Sequence, residues 1–253
     1  MALDIKVKIM EHKLFTNKVI ELINTIDKEE TENIENAAKI IYNSMINKGL
    51  LHIFCTGHSH MMAEEMFYRA GGLVQINPIL EPFLMQHEGA ERSTKFERLS
   101  GVARIIFESV DIKPGEPFLI ASNSGINAVP IEMALCAKEN GNPVIVVTSK
   151  EVSKKLKSRI NGGYRLYELA DVVIDNHTPN GDGVIETSEG NVGAVSTIAS
   201  VYIAQRLVLS IIDNYQKDGL LPPAIYKSAN IEGGDEHNKG LFDEYKKRIR
   251  SLY

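Results

Sequence analysis

The chain has 253 residues, 43% of them hydrophobic, enough for one large domain or two small ones with a sizeable core. Its 28 Lys and Arg against 33 Asp and Glu leave a net charge of -5, so no basic excess exists to meet a phosphate backbone and no nucleic-acid partner is expected. Cys55 and Cys136 sit singly in apolar runs, outside any disulfide framework, which fits a reduced, cytoplasmic setting.

Residues 1–6 lack a compact apolar core, so no signal peptide is expected. Residues 1–48 have helical character, and Thr31 is placed to cap a second helix. Ile34, Ala37, Ile40, Ile41 and Met45 follow it at helical spacing until Gly49. Strands and helices then alternate. Strands are expected at 50–55, 73–80, 117–121, 143–148 and 171–175, and helices at 59–70, 91–110 and 127–140. Strands that are apolar throughout imply a parallel sheet covered on both faces.

The apolar window 192–212 contains Ser196, Thr197, Ser200, Gln205, Arg206 and Ser210. That is too polar for a bilayer span, so it reads as a core or interface helix and no membrane partner is expected. Basic runs at 154–157 and 246–250 read as solvated helix faces. The predicted fold is doubly wound α/β, with a five-stranded parallel sheet flanked by helices. One domain is expected over 1–253. It comprises an N-terminal helical pair (1–48), an α/β core (49–216) and a C-terminal arm and helix (217–253).

Ligands in such sheets bind beyond the carboxyl ends of the strands. The third strand runs into Ser122-Asn123-Ser124-Gly125 and then a helix. Gly125 permits a tight turn, the serines supply hydroxyls, and the helix start supplies unpaired N–H groups, which together suit an anion. The first strand ends in Thr56-Gly57-His58-Ser59-His60. Ser59 reads either as an ordinary helix cap or as a second ligand group at the same edge.

This pairing resembles the SIS (sugar isomerase) family of phosphosugar-binding domains. The resemblance also rests on 137–141 with the strand after it, on Leu169-Ala170-Asp171-Val172, and on Ser196-Thr197, and it spans about 35–215. It implies a flavodoxin-like five-stranded SIS fold, a bound sugar phosphate, and a homodimer or homotetramer with sites at subunit contacts. Gly57, Ser59, Ser122, Asn123, Ser124, Gly125 and Asn127 would form the phosphate site, with Thr148 as a wall. Many members carry Thr or Ser where Asn127 stands here. Asn127 is larger, though it can still donate. The whole chain looks closest to a small bacterial subgroup with no activity to carry over.

Aldose–ketose isomerisation needs a base between adjacent carbons and an acid for ring opening. Glu88, in a Glu88-Gly89-Ala90 trio that resembles N-acetylmuramic acid 6-phosphate etherases, is the first candidate, with a solvated loop carboxylate as the bland reading. Glu65 falls near a position where phosphoheptose isomerases place a functional histidine, and Glu64 lies beside it. His58, His60 and His87 are candidates for ring opening. Asn191 stands where the isomerase domain of glucosamine–fructose-6-phosphate aminotransferase has a glutamate, with Glu189 nearby as a substitute. His237, Asp235 and Glu236, in a polar segment before a helix expected from about Gly240, are candidates for a site shared between subunits. A turn is the other reading of that segment, and a plain turn is the reading of 180–183. No cofactor is expected. Zinc on His58, His60 and His87 with Glu65 or Glu88 is the alternative. The expected function is a phosphosugar isomerase, with an etherase or lyase, or a non-catalytic sugar-phosphate sensor, as alternatives.

Overall fold

The computed structural model describes residues 8–252. Residues 1–7, where no signal peptide is expected, and Tyr253 lie outside the described residues. The N-terminal pair is α1 (Lys8–Glu29) and α2 (Thr31–Met45). Thr31 is not the cap. It is the first residue of α2, and its hydroxyl donates back to the carbonyl of Asp27.

The core sheet contains β1 (Leu51–Cys55), β2 (Ile76–Ile79), β3 (Phe118–Ala121), β4 (Val144–Thr148) and β5 (Val172–Asp175), all parallel in the order β2-β1-β3-β4-β5. The chain steps from β1 outward to β2 and then returns past β1 to β3. The switch point therefore lies between β1 and β3, where a crevice opens at the carboxyl ends. Strand residues alternate between two cores. Ile53, Leu119, Ile145 and Ile174 pack under α2, α3 (His60–Met66) and α8 (Ser196–Lys217). Phe54, Ile120 and Val146 pack under α5 (Val102–Glu108) and α6 (Ala128–Glu139). By length and composition α8 passes as a membrane span, but it buries Ala199, Ile203, Leu207 and Ile211 in the first core.

Four expectations change. The single helix over 91–110 is two, α4 (Ala90–Phe96) and α5, because Gly101 turns left-handed at φ +89° and gives its N–H to Glu132 at 2.7 Å. The helix over 59–70 is a 3-10 turn at Gly57–Ser59 followed by α3, which ends at Met66. After α7 (Lys150–Lys155), a hairpin of β6 (Gly183–Thr187) and β7 (Gly190–Ala194) precedes α8. The last helix, α9 (Gly234–Tyr245), starts at Gly234 rather than near Gly240, so the polar segment before it is shorter than expected.

The amino edge of the sheet is closed by a buried ionic network. Glu116 accepts from the N–H of Leu50 and Lys113, from His52 Nε2, and from both terminal nitrogens of Arg248, all at 2.8–2.9 Å. Asn77 donates to the other ring nitrogen of His52 at 2.9 Å. Burial alone would raise the carboxyl pKa of Glu116. The bonds from His52, Arg248 and the two N–H groups outweigh it and hold the group well below the ordinary carboxylate range. Arg248 belongs to the C-terminal segment, so this network also pins that segment to the sheet.

Candidate functional site

At the carboxyl edge, backbone geometry follows the glycines. Gly57 and Gly125 have left-handed φ angles of +57° and +61°. A Cβ on Gly125 would lie 3.0 Å from Ser153 Oγ and 3.2 Å from Thr148 Oγ1, so the loop sits on those two residues without room for a side chain. Thr148 is buried beneath the loop, and its hydroxyl donates to the Asn123 carbonyl at 3.2 Å.

A shallow cleft opens here. Its polar lining is His58, Ser59, Ser122, Asn123, Asn176 and the Ser196, Thr197 and Ser200 face of α8. Ser59 stands at the N-cap of α3 as read, but it makes no side-chain capping bond and lines the cleft. Ser122 Oγ accepts from the Gly125 N–H at 3.3 Å. Asn123 is held from behind: its Oδ1 accepts from Asn176 at 2.9 Å and from the Thr178 hydroxyl at 2.5 Å, leaving its amide hydrogens to donate elsewhere.

The first turn of α8 faces the same space. Asp182 caps it, accepting from the N–H of Val195 and Ser196 and from the Ser196 hydroxyl at 2.9, 2.7 and 2.6 Å. The turn at 180–183 therefore orders the helix start, beyond joining strands. The N–H groups of Thr197 and Ile198 lie in that first turn, where the helix offers no acceptor. Hydroxyls, amide hydrogens and a helix start make the cleft a set of donors suited to an anion.

His58 is oriented by Gln86, whose amide donates to Nδ1 at 2.8 Å and so places the ring proton on Nε2. His60 is 1% exposed. Its Nδ1 bonds the Gly57 carbonyl at 3.1 Å, and among the described residues its Nε2 has no partner. Burial pushes its pKa down to about 4, so it is neutral near pH 7.

Other sequence candidates lie apart from the cleft. Glu88 pairs with Arg92 at 3.1 Å and lines a separate apolar groove with Phe83 and Phe96. His87 is exposed, as is Glu64. Glu65 accepts from Gln205 of α8 at 2.6 Å and pairs with Arg69, which ties α3 to α8. Ser124 is half-buried in its loop, and Asn127 turns to the other side of the sheet, accepting from Arg159 at 2.5 Å. Glu189 and Asn191 belong to the β6–β7 hairpin, away from the cleft lining. His237 bonds the Ile225 carbonyl at 2.9 Å on the C-terminal arm, and Asp235 and Glu236 lie in the first turn of α9. The zinc alternative does not fit: among the described residues no three His, Cys, Asp or Glu side chains gather as ligands.

Sequence reading missed Asn176, Thr178 and Asp182 and left Ser200 without a role. The first two follow the fifth strand directly, where the carboxyl-edge rule points. Ser200 is four residues after Ser196, on the same helix face.

The SIS domain family model matches residues 14–149. A UPF0309 protein of Oceanobacillus iheyensis is 42% identical over 243 residues, covering 95% of this chain and 98% of that one. A UPF0309 protein of Caldanaerobacter subterraneus is 40% identical over 244 residues, covering 94% and 99%. Two solved structures share the fold. A phosphoheptose isomerase from Francisella tularensis has a TM-score of 0.52 at 11% identity, covering 79% of this chain and 97% of that one. The phosphoheptose isomerase GmhA of Neisseria gonorrhoeae has a TM-score of 0.50 at 17% identity, covering 82% and 98%. The chain belongs to the SIS domain family and groups within it with the UPF0309 proteins.

Proposed function

We propose that the protein binds a phosphorylated sugar or amino sugar in the cleft between β1, β3 and α8 and interconverts its aldose and ketose forms. The observation that carries this reading is the convergence of Ser59, Ser122, Asn123, Ser196, Thr197 and Ser200 on one space at the switch point. In this reading Ser59, Ser122 and Asn123 hold the phosphate through hydroxyl and amide donors. Such bonds to a charged group are worth about 1.5–3 kcal/mol each. His58, with its proton on Nε2, serves ring opening.

The fold shared with phosphoheptose isomerases supports an isomerase over an etherase or a sensor. Phosphorylated sugars are charged and do not cross bilayers, so the activity belongs in the cytoplasm. The reading includes one SIS domain over the whole chain and a homodimer or homotetramer.

Incubation with hexose, pentose and heptose phosphates in deuterated water tests the reaction, and calorimetry on the same panel tests binding. Deuterium at C1 or C2 of a bound sugar is the expected result. Binding without exchange across the panel would replace the isomerase with a sensor, and no binding would sink the reading.

A further inference from the structure

The phosphate cleft lies on the α8 side of the sheet edge, and a second polar cluster lies across that edge, on the α4 and α6 side. Cys55 and Ala121 are register partners at the ends of β1 and β3. Thr56 and Ser122 follow them directly, so the two leave the sheet from the ends of adjacent strands. The buried Thr56 hydroxyl donates to Glu97 Oε2 at 3.0 Å. Asn127 and Arg159 complete the cluster.

Glu97 is half-buried. Burial raises its carboxyl pKa above the ordinary range, against the lowering effects of the Thr56 bond and of the nearby Arg98 and Arg159. Arg159 gives its hydrogen bond to Asn127 rather than to Glu97. A half-buried carboxylate held by a neutral hydroxyl at the end of β1 is suited to proton transfer.

We propose that Glu97 is the proton-transfer residue of the sugar-phosphate site, placed by Thr56 one strand away from Ser122. The proposal rests on the isomerase reading above. In the step, the Glu97 carboxylate takes the C2 proton of the open-chain aldose phosphate. The C2–H electron pair forms the C1–C2 double bond, and the C1 carbonyl oxygen takes a proton from His58 Nε2. The O2 proton then returns to His58, the O2 lone pair forms the C2 carbonyl, and Glu97 delivers its proton to C1. No oxidant, reductant or metal enters the balance.

The test compares the wild type with Glu97→Gln, Glu97→Asp and Glu88→Gln. Solvent deuterium incorporation reads chemistry, and calorimetry with inorganic phosphate reads the phosphate cleft. Glu97→Gln is expected to lower exchange by about 100-fold or more, the usual contribution of a general base, while phosphate affinity stays within about twofold. Glu97→Asp, which keeps the charge, is expected to retain part of the exchange. The ascending limb of the wild-type pH–rate profile is expected above the ordinary carboxylate range, a readout that needs no variant. Exchange preserved in Glu97→Gln, exchange lost instead in Glu88→Gln, or a limb in the ordinary range overturns the proposal while leaving the binding reading intact. Wild-type exchange absent across the whole panel overturns this proposal together with the isomerase reading, and phosphate binding then shows whether the cleft itself survives.

Discussion

His52 and His60 are both buried, and they stand at opposite edges of the sheet. On His52, at the amino edge, both ring nitrogens are bonded, to Glu116 and to Asn77. On His60, at the carboxyl edge, one nitrogen has no partner among the described residues. The contrast extends to the surroundings. Glu116 is saturated with donors, whereas among the described residues Glu97 has a single neutral one in Thr56 and Ser59 makes no capping bond. A saturated buried network stabilises a fold and offers a ligand nothing. An edge with free donors is less stable than it could be and is open for binding.

Breaking the amino edge should have the largest effect. Glu116→Ala leaves Arg248, His52 and two N–H groups without their acceptor, and a loss of about 3–5 kcal/mol is expected in denaturant unfolding. Earlier proteolysis of the C-terminal segment should accompany it. The folded pKa of Glu116 lies below the ordinary value of 4.5, so this stabilisation is present above about pH 4.5 and fades as the pH falls below it. A stability gap between Glu116→Gln and wild type that does not shrink on acidification would count against the network.

His60 sharpens the contrast from the other edge, because its pKa is lowered from 6.5 to about 4. The unfolded chain therefore takes up the proton first. The folded state loses stability as the pH falls below 6.5, and the loss is complete near pH 4. The effect amounts to about 3 kcal/mol, and His60→Gln should be free of it. Parallel stability–pH curves for the two proteins between these values would show that His60 is not held neutral.

Gly125→Ala probes the loop itself. A left-handed non-glycine residue costs about 1–2 kcal/mol, with close contacts to Ser153 and Thr148 in addition. Phosphate binding should weaken with it. The smallest stability change is expected for Ser122→Ala, under about 1 kcal/mol, because its hydroxyl accepts one long bond from Gly125. Its phosphate affinity should nevertheless fall about tenfold. If calorimetry found Ser122→Ala unchanged in affinity, the phosphate would lie elsewhere.

Much of this architecture was legible because its signals are local. Five apolar runs bounded by turn residues became β1 to β5, and Gly57 and Gly125 adopt the left-handed turns their positions called for. Less of the site was legible. Glu88 follows the second strand as the carboxyl-edge rule requires, yet Arg92, one helical turn later, holds it in another groove. Glu97 gives no motif at all, since its place depends on α4 ending at Phe96, which sets Glu97 at its C-terminus against Thr56.

By itself the sequence determined the doubly wound sheet and the left-handed turn after β3, because apolar periodicity and glycine conformations act within a few residues. Only the tertiary structure decided which polar side chains share a space. Asn176, Thr178 and Asp182, all from the loop between β5 and β6, meet Asn123 and the start of α8, and Glu116 and Arg248 meet across 132 positions of chain. Burial, hydrogen-bond partners and pKa shifts depend on these long-range meetings, so the difference between a closed edge and an open one appears only once the chain has folded.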